Sequence, residues 1–349
     1  LTTIYEIAKR AKVSIGTVDR VLHKRGRVSK ETEKKVRQII RELNYKPSIY
    51  ARGLALSKTY LFGILMPEPS EDGCFWQLPE LGIRKAQDEL KVYNIQIRHF
   101  FYNKYSIGSF QDACASILAH PEVFDGLLIA PVLSHFAEDF VKNIPDSIPY
   151  VFFDSYLPNV DCLTFIGQKS FQSGLLSGKL MRMLVGCDST IAVIRILPED
   201  YHIEDRVKGF QSFFAQDPGI RIRVYEADLM KGQEAIHTVT RRILEENGDL
   251  GGLFVPSACT GNVAEYIHSR NGKSAIHLIG YDLTEENIRF MKEGVIDFLI
   301  SQRPEIQGYR GIHALYRHVV LKESIPKEMI LPLDIVTREN VEYYINEIV

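Results

Sequence analysis

From Tyr60 onward, short apolar runs alternate with amphipathic stretches. The runs Leu61–Met66, Ile95–Phe101, Gly126–Ala130, Tyr150–Phe153, Thr190–Ile196, Ile222–Glu226, Gly252–Val255, Ile276–Gly280 and Phe298–Ser301 read as buried strands. Helical spacing fills most of the intervals, for example Leu78–Lys91 and Gly232–Asn247. Such alternation predicts parallel sheets with helices on both faces. This much sheet predicts two lobes, with ligands bound in a cleft at the carboxyl ends of the strands.

Before Tyr60 the pattern is different. Ile4, Ile7, Ala8 and Ala11 recur at helical spacing, and Thr3 with Glu6 forms a capping box at that helix's start. After a tight connection at Lys12-Val13, Ser14 can cap a second helix over Ile15–Leu22. A third opens at Ser29 and puts Val36, Ile39, Ile40 and Leu43 on one face. Two helices a few residues apart and then a third is helix-turn-helix geometry, in which the second helix enters the major groove.

Charge separates the same two regions. The chain has 349 residues with 42 Lys+Arg against 44 Asp+Glu, but residues 1–58 hold 15 against 5, leaving 27 against 39 for the rest. A basic head on an acidic body is the footprint of a module that meets a polyanion.

Other classes are disfavoured. No apolar run approaches the length of a membrane helix, and the N-terminal residues are polar and amphipathic, unlike a secretory leader. The five cysteines are scattered and never spaced C-x-x-C, which argues against a disulfide framework or a zinc site and for a cytoplasmic protein. There is no P-loop, no G-x-S-x-G elbow, no H-E-x-x-H and no G-x-G-x-x-G following a strand. The expectation is a non-enzyme with no cofactor and no metal.

Thr3-Ile-Tyr-Glu-Ile-Ala-Lys-Arg-Ala-Lys-Val-Ser14, Thr17-Val-Asp-Arg-Val21, Arg27-Val-Ser29 and Glu42-Leu-Asn-Tyr-Lys-Pro47 together resemble the lactose/galactose repressor (LacI/GalR-type) family. The resemblance covers the head without a gap and continues through a periplasmic-binding-protein-like body. It implies that Ile15, Gly16 and Arg20 occupy base-reading positions. A guanidinium can bond a guanine edge bidentately, whereas Ile15 offers only apolar contact. Thr17 and the basic loop with Lys24, Arg25 and Arg27 would face phosphates. Asp19 departs from the expected hydroxyl residue, and an ion pair within its own helix is an equal alternative. The hinge after Pro47, with Arg52 and Leu54, would form paired helices in the minor groove, Leu54 acting as an apolar wedge.

In the body, Phe75 and Trp76 sit in a Pro- and Gly-rich loop after the first strand, suited either to stacking on a sugar or to capping a core. The resemblance places Asp154, Arg206, Asp282 and Gln302 among effector-binding positions. For the two aspartates, turn capping is the alternative. Where the family commonly has Asn-Asp, this chain has Pro256-Ser257-Ala258, leaving a hydroxyl at Ser257 as the contact. Arg195, a charge inside an apolar strand, either reaches the cleft or pairs at a surface.

The expected architecture is therefore α/β: a helix-turn-helix three-helix head (1–46), a hinge (47–58) and a two-lobed doubly wound parallel body (59–349). One lobe would take about 59–167 and 303–330, the other about 168–302 and 331–349. The expected function is a dimeric transcription regulator, with release of the operator on effector binding the commoner behaviour of such proteins. It would bind pseudo-palindromic operator DNA and be controlled by a small carbohydrate-like effector. A transport or chemotaxis sugar-binding protein is the alternative.

Overall fold

The computed structural model describes residues 4–23, 26, 28–43, 58–198, 200–232, 234–270 and 276–345. Lys24, Arg25, Arg27, Arg52, Leu54 and the Thr3 end of the capping box lie outside the described residues. The chain divides into two compact units, the smaller built on the head and the larger on the body.

In the head, α1 (Ile4–Ala11), α2 (Ile15–His23) and α3 (Lys30–Glu42) enclose a small core of Ile7, Ala8, Ala11, Val18, Val21, Val36 and Ile39. Lys12 turns the chain between α1 and α2 in a left-handed conformation, φ 56°. The hydroxyl oxygen of Ser14 accepts from the Thr17 backbone N–H at 3.2 Å, and that of Ser29 accepts from the Thr32 N–H at 3.2 Å. These are the caps the sequence predicts, and they end donors that would otherwise be orphaned.

The body holds two six-stranded sheets. One contains β1 (Tyr60–Pro67), β2 (Ile95–Tyr102), β3 (Gly126–Ile129), β4 (Tyr150–Phe153), β5 (Thr164–Gly167) and β11 (Glu328–Ile330) in the order β11-β5-β4-β3-β1-β2, all parallel. The other contains β6 (Ser189–Leu197), β7 (Ile220–Asp228), β8 (Leu250–Phe254), β9 (His277–Tyr281), β10 (Phe298–Ser301) and β12 (Asp334–Val336) in the order β12-β10-β9-β8-β6-β7. Only β12 runs antiparallel, against β10. The first five strands of each sheet follow the same spatial order, so the two lobes are topological duplicates.

The chain passes between the sheets at Gln168-Lys169, at Gln302-Arg303 and at residues 331–333. One side chain ties these passages together: Gln168 Nε2 donates to Ser301 O at 3.0 Å and to Pro332 O at 2.8 Å.

Helix α4 (Ser170–Leu184) packs closely on α5 (Tyr201–Phe214) because each offers a glycine at the crossing. A Cβ on Gly174 would lie 2.1 Å from the Arg206 carbonyl oxygen, and one on Gly209 equally close to that of Phe171. Neither can be accommodated without moving the backbone that carries Arg206. Gly174→Ala is therefore expected to destabilise the body by about 1–3 kcal/mol through overpacking. Chemical denaturation of the variant checks this; an unchanged midpoint would show that the pair can separate freely.

Candidate functional site

The carboxyl ends of the strands converge on a cluster of buried polar side chains where the two lobes meet. Asp154 directly follows β4, and Asp282 directly follows β9, the topologically equivalent strand. Both adopt left-handed backbone, φ 65° and 66°, and each backbone N–H donates to the neighbouring strand, Asp154 to Ile166 O at 3.2 Å and Asp282 to Ile300 O at 3.0 Å. Non-glycine residues rarely adopt this conformation without a tertiary constraint. Here the strand-edge bonds supply it and leave the side chains at the strand tips.

Arg206, on α5, is 1 % exposed and reaches the Gln302-Arg303 passage between the lobes. One terminal nitrogen donates to Pro256 O and the other to Gln302 Oε1, both at 2.9 Å, and the guanidinium lies 3.9 Å over the Tyr281 ring. Gln302 Nε2 donates to Asp282 Oδ2 at 3.1 Å. Gln307 Nε2 donates to Gln302 O, while its Oε1 accepts from the Asp154 backbone N–H. The carbonyl that anchors the arginine at Pro256 is backbone and would be offered by any residue there, so it gives no reason for the Pro256-Ser257-Ala258 departure. Ser257 is buried, and its hydroxyl oxygen accepts from Cys259 N at 3.4 Å.

A second constellation closes the other end. Lys104, just after β2, is 5 % exposed and pairs with Asp72 at 3.0 Å and with Asp200 at 3.4 Å. Asp72 also accepts from Trp76 Nε1 at 3.0 Å and from the Tyr105 hydroxyl. Asp200, which precedes α5, accepts from the backbone N–H of Leu133 at 3.2 Å. Asp200 belongs to the second lobe; Lys104 and Leu133 belong to the first. The bonds therefore span the cleft, and Tyr201–Glu138 at 3.0 Å and Tyr156–Asp205 at 2.5 Å span it beside them. Trp76 and Phe75 are buried edge to face, and Trp76 packs against Phe153, the neighbour of Asp154.

Burial dominates the electrostatics. It pushes the Asp282 carboxyl up to about 7 and the Asp154 carboxyl up to about 6, against the pull of Arg206. Burial also raises Asp200. At Asp72 burial works in the same direction, but Lys104 and two donors outweigh it and hold the group below its ordinary range. His202, 3.9 Å from Asp154, is held neutral by burial and by the nearby Arg206 and Lys104 cations. Asp154 Oδ1, Asp282 Oδ1 and His202 Nδ1 are buried without a hydrogen-bond partner.

The raised carboxyls imply a definite pH response. Between about pH 4 and 7 the folded chain holds protons on Asp154 and Asp282 that the unfolded chain has released, so these groups make stability fall as pH rises. The double variant Asp154→Asn, Asp282→Asn is expected to flatten that decline by a few kcal/mol between about pH 5 and 7.5. Urea unfolding at several pH values tests it; parallel curves for the two proteins would sink the assignment.

Asp154, Ser257, Asp282 and Gln302 follow the ends of β4, β8, β9 and β10, Arg206 reaches Pro256 and Gln302 from its helix, and Phe75 and Trp76 lie buried beside Phe153 and Asp72. Arg195 pairs instead with Glu204 at 3.0 Å and with Glu226, away from them. Asp72, Lys104, Tyr105, Asp200 and His202 were not singled out by sequence reasoning. Their signal was positional, because each lies in the loop after a strand's carboxyl end or in the first turn of the helix that follows. In the head, Ile15 is 50 % exposed, Arg20 is exposed and Thr17 is half-buried. Gly16 has open space, a Cβ there meeting only Ser14 Oγ at 3.9 Å.

Residues 3–48 match the model of bacterial regulatory proteins of the lacI family, and residues 62–323 match the periplasmic binding protein domain. A ribose operon repressor from Halalkalibacterium halodurans is 30 % identical over 285 residues, covering 81 % of this chain and 80 % of that one. The chain belongs to the lacI family. It is a DNA-binding transcriptional regulator with a body of the sugar-binding type. A solved structure described as a LacI transcriptional regulator from Bacteroides fragilis superposes with TM-score 0.77 at 28 % identity, covering 82 % of this chain and all of that one. The fold is shared with a glucose-galactose binding protein from Geobacillus stearothermophilus, TM-score 0.72 at 21 % identity, with 81 % of this chain and 99 % of that one covered. The lacI-type head favours regulation over transport. No helix among the described residues is long and apolar enough to cross a membrane.

Proposed function

We propose that this lacI-family regulator is a cytoplasmic homodimer that represses transcription from a pseudo-palindromic operator and releases it when a carbohydrate-like effector occupies the cleft. It is a switch and catalyses no reaction. The observation that carries this reading is the pair of buried carboxylates, Asp154 and Asp282, each with one oxygen lacking a partner at equivalent strand ends. Such acceptors suit the hydroxyls of a small polyol. The names of relatives, a ribose operon repressor and a glucose-galactose binding protein, support a sugar-like ligand. Arg206 commits one N–H of each terminal nitrogen to Pro256 and Gln302, and the buried carboxylates around it disfavour an anion.

Effector binding would act by favouring one arrangement of the lobes over another, and so one spacing of the two hinges over another. Phe75, Trp76, Ser257 and Gln302 would form the walls of the effector site. On the DNA side, α2 would read the major groove through Arg20, with Ile15 and Gly16 against the bases. Thr17, Lys24, Arg25, Arg27 and Arg52 would meet the backbone, and Leu54 would wedge the minor groove.

Arg20→Ala tests that side directly. It is expected to weaken operator binding by about 1–3 kcal/mol and to relax preference at one base pair of each half-site. Competition binding against single-base operator variants checks it. Equal losses on operator and scrambled DNA would make Arg20 a phosphate contact only.

A further inference from the structure

The cleft is unbalanced in charge. Four carboxylates line it, those of Asp72, Asp154, Asp200 and Asp282, all at most 7 % exposed. Two cations face them, Lys104 and Arg206, and the imidazole of His202 is neutral. With every acid ionised, the buried cluster carries two uncompensated negative charges, an arrangement that low-dielectric surroundings penalise strongly.

The balance of donors and acceptors points the same way. Lys104 is occupied by Asp72 and Asp200, and Arg206 by Pro256 and Gln302. Among the described residues, the orphaned buried atoms on these groups are Asp154 Oδ1, Asp282 Oδ1, His202 Nδ1 and Arg206 Nε, Asp200 Oδ2 being taken by Lys104. Acceptors outnumber donors, so the complementary ligand is rich in donors. A phosphate or carboxylate on the ligand would add charge of the wrong sign to a cluster that already holds four carboxylates against two cations. A metal ion does not fit, since no three His, Cys, Asp or Glu side chains among the described residues are placed to hold one.

We propose that the effector is a polyhydroxy compound bearing a protonated amine, an amino sugar in chemical class, with its ammonium group held by the Asp154 and Asp282 carboxylates. The inference rests on the cleft being the effector site. An ammonium supplies three donors and one positive charge, and charge-assisted bonds to a carboxylate are about twice as strong as neutral ones. A remaining hydroxyl would reach His202 Nδ1.

Isothermal titration of the full chain at pH 7.5 tests this with the common hexosamines, each beside its parent hexose, its N-acetyl derivative and its 6-phosphate. At least one hexosamine is expected to bind 10-fold or more tightly than its parent, with the N-acetyl and phosphorylated forms weaker still. Asp282→Asn is expected to shrink the preference for amine over parent. A parent hexose binding as tightly as its amine would overturn the amine while leaving the effector cleft intact. Silence across the whole panel would overturn both.

Discussion

Replacing Arg206 with methionine is expected to destabilise the body by about 3–5 kcal/mol, the usual result of removing one partner from a buried charge system. The aliphatic stem has a substitute, but the charge does not. Pro256 O and Gln302 Oε1 lose their donors, and Tyr281 loses the guanidinium stacked on it. Above all, Asp282 and Asp154 lose the nearby positive charge that opposes the effect of burial on their ionisation. Their pKa values should therefore rise further. A raised carboxyl pKa makes stability fall with increasing pH, so the deficit should be larger at pH 8 than at pH 6. Thermal unfolding would register a drop of roughly 10 °C for a body of this size. A deficit below about 1 kcal/mol, the same at both pH values, would show that Arg206 is not the counter-charge.

Lys104→Met should have a comparable effect by a different route. It leaves Asp72 and Asp200 buried, close to one another and without their shared cation. Because Asp200 belongs to the opposite lobe, repulsion would act across the cleft and favour separation of the lobes. A loss of about 3–5 kcal/mol is expected, with a larger radius of gyration in solution scattering. Adding Asp200→Asn should restore part of the loss, since it removes one of the stranded charges. A double-mutant cycle measures this coupling; strictly additive effects would mean that Lys104 and Asp200 are independent.

Both variants probe features that were unevenly legible in the sequence. Nine strands could be placed from the sequence: central strands buried on both faces read as continuous Val, Ile, Leu and Phe, and the edge strands β2 and β7 keep enough apolar residues to be read beside their exposed ones. Three could not. Thr164–Gly167 is four residues long and ends in glycine, while Glu328–Ile330 and Asp334–Val336 are three-residue edge strands with polar residues. Their identity comes from pairing with β5 and β10, which only the folded chain supplies.

The site divides along the same line. Asp154 and Asp282 stand out because each ends a clear strand, and Arg206 because its surroundings resemble the family's pattern. Lys104 sits in Asn-Lys-Tyr, a sequence that reads as a solvated turn, and nothing local signals burial. Its partners are remote in sequence, and their pairing depends on both lobes. Arg195 shows the converse: a charge in an apolar strand suggests function, yet it belongs to a half-buried network with Glu204 and Glu226.

The most direct test of the whole account is a fluorescence-anisotropy titration on the genomic fragment that the full chain selects. It would be run with and without a ligand shown by calorimetry to bind the cleft. Binding to a pseudo-palindrome with a Kd on the order of 10⁻⁸ M or tighter, shifted 10-fold or more by the ligand, is the predicted result. A chain with no preference for any sequence over bulk DNA, or one whose operator affinity ignores an occupied cleft, would contradict it.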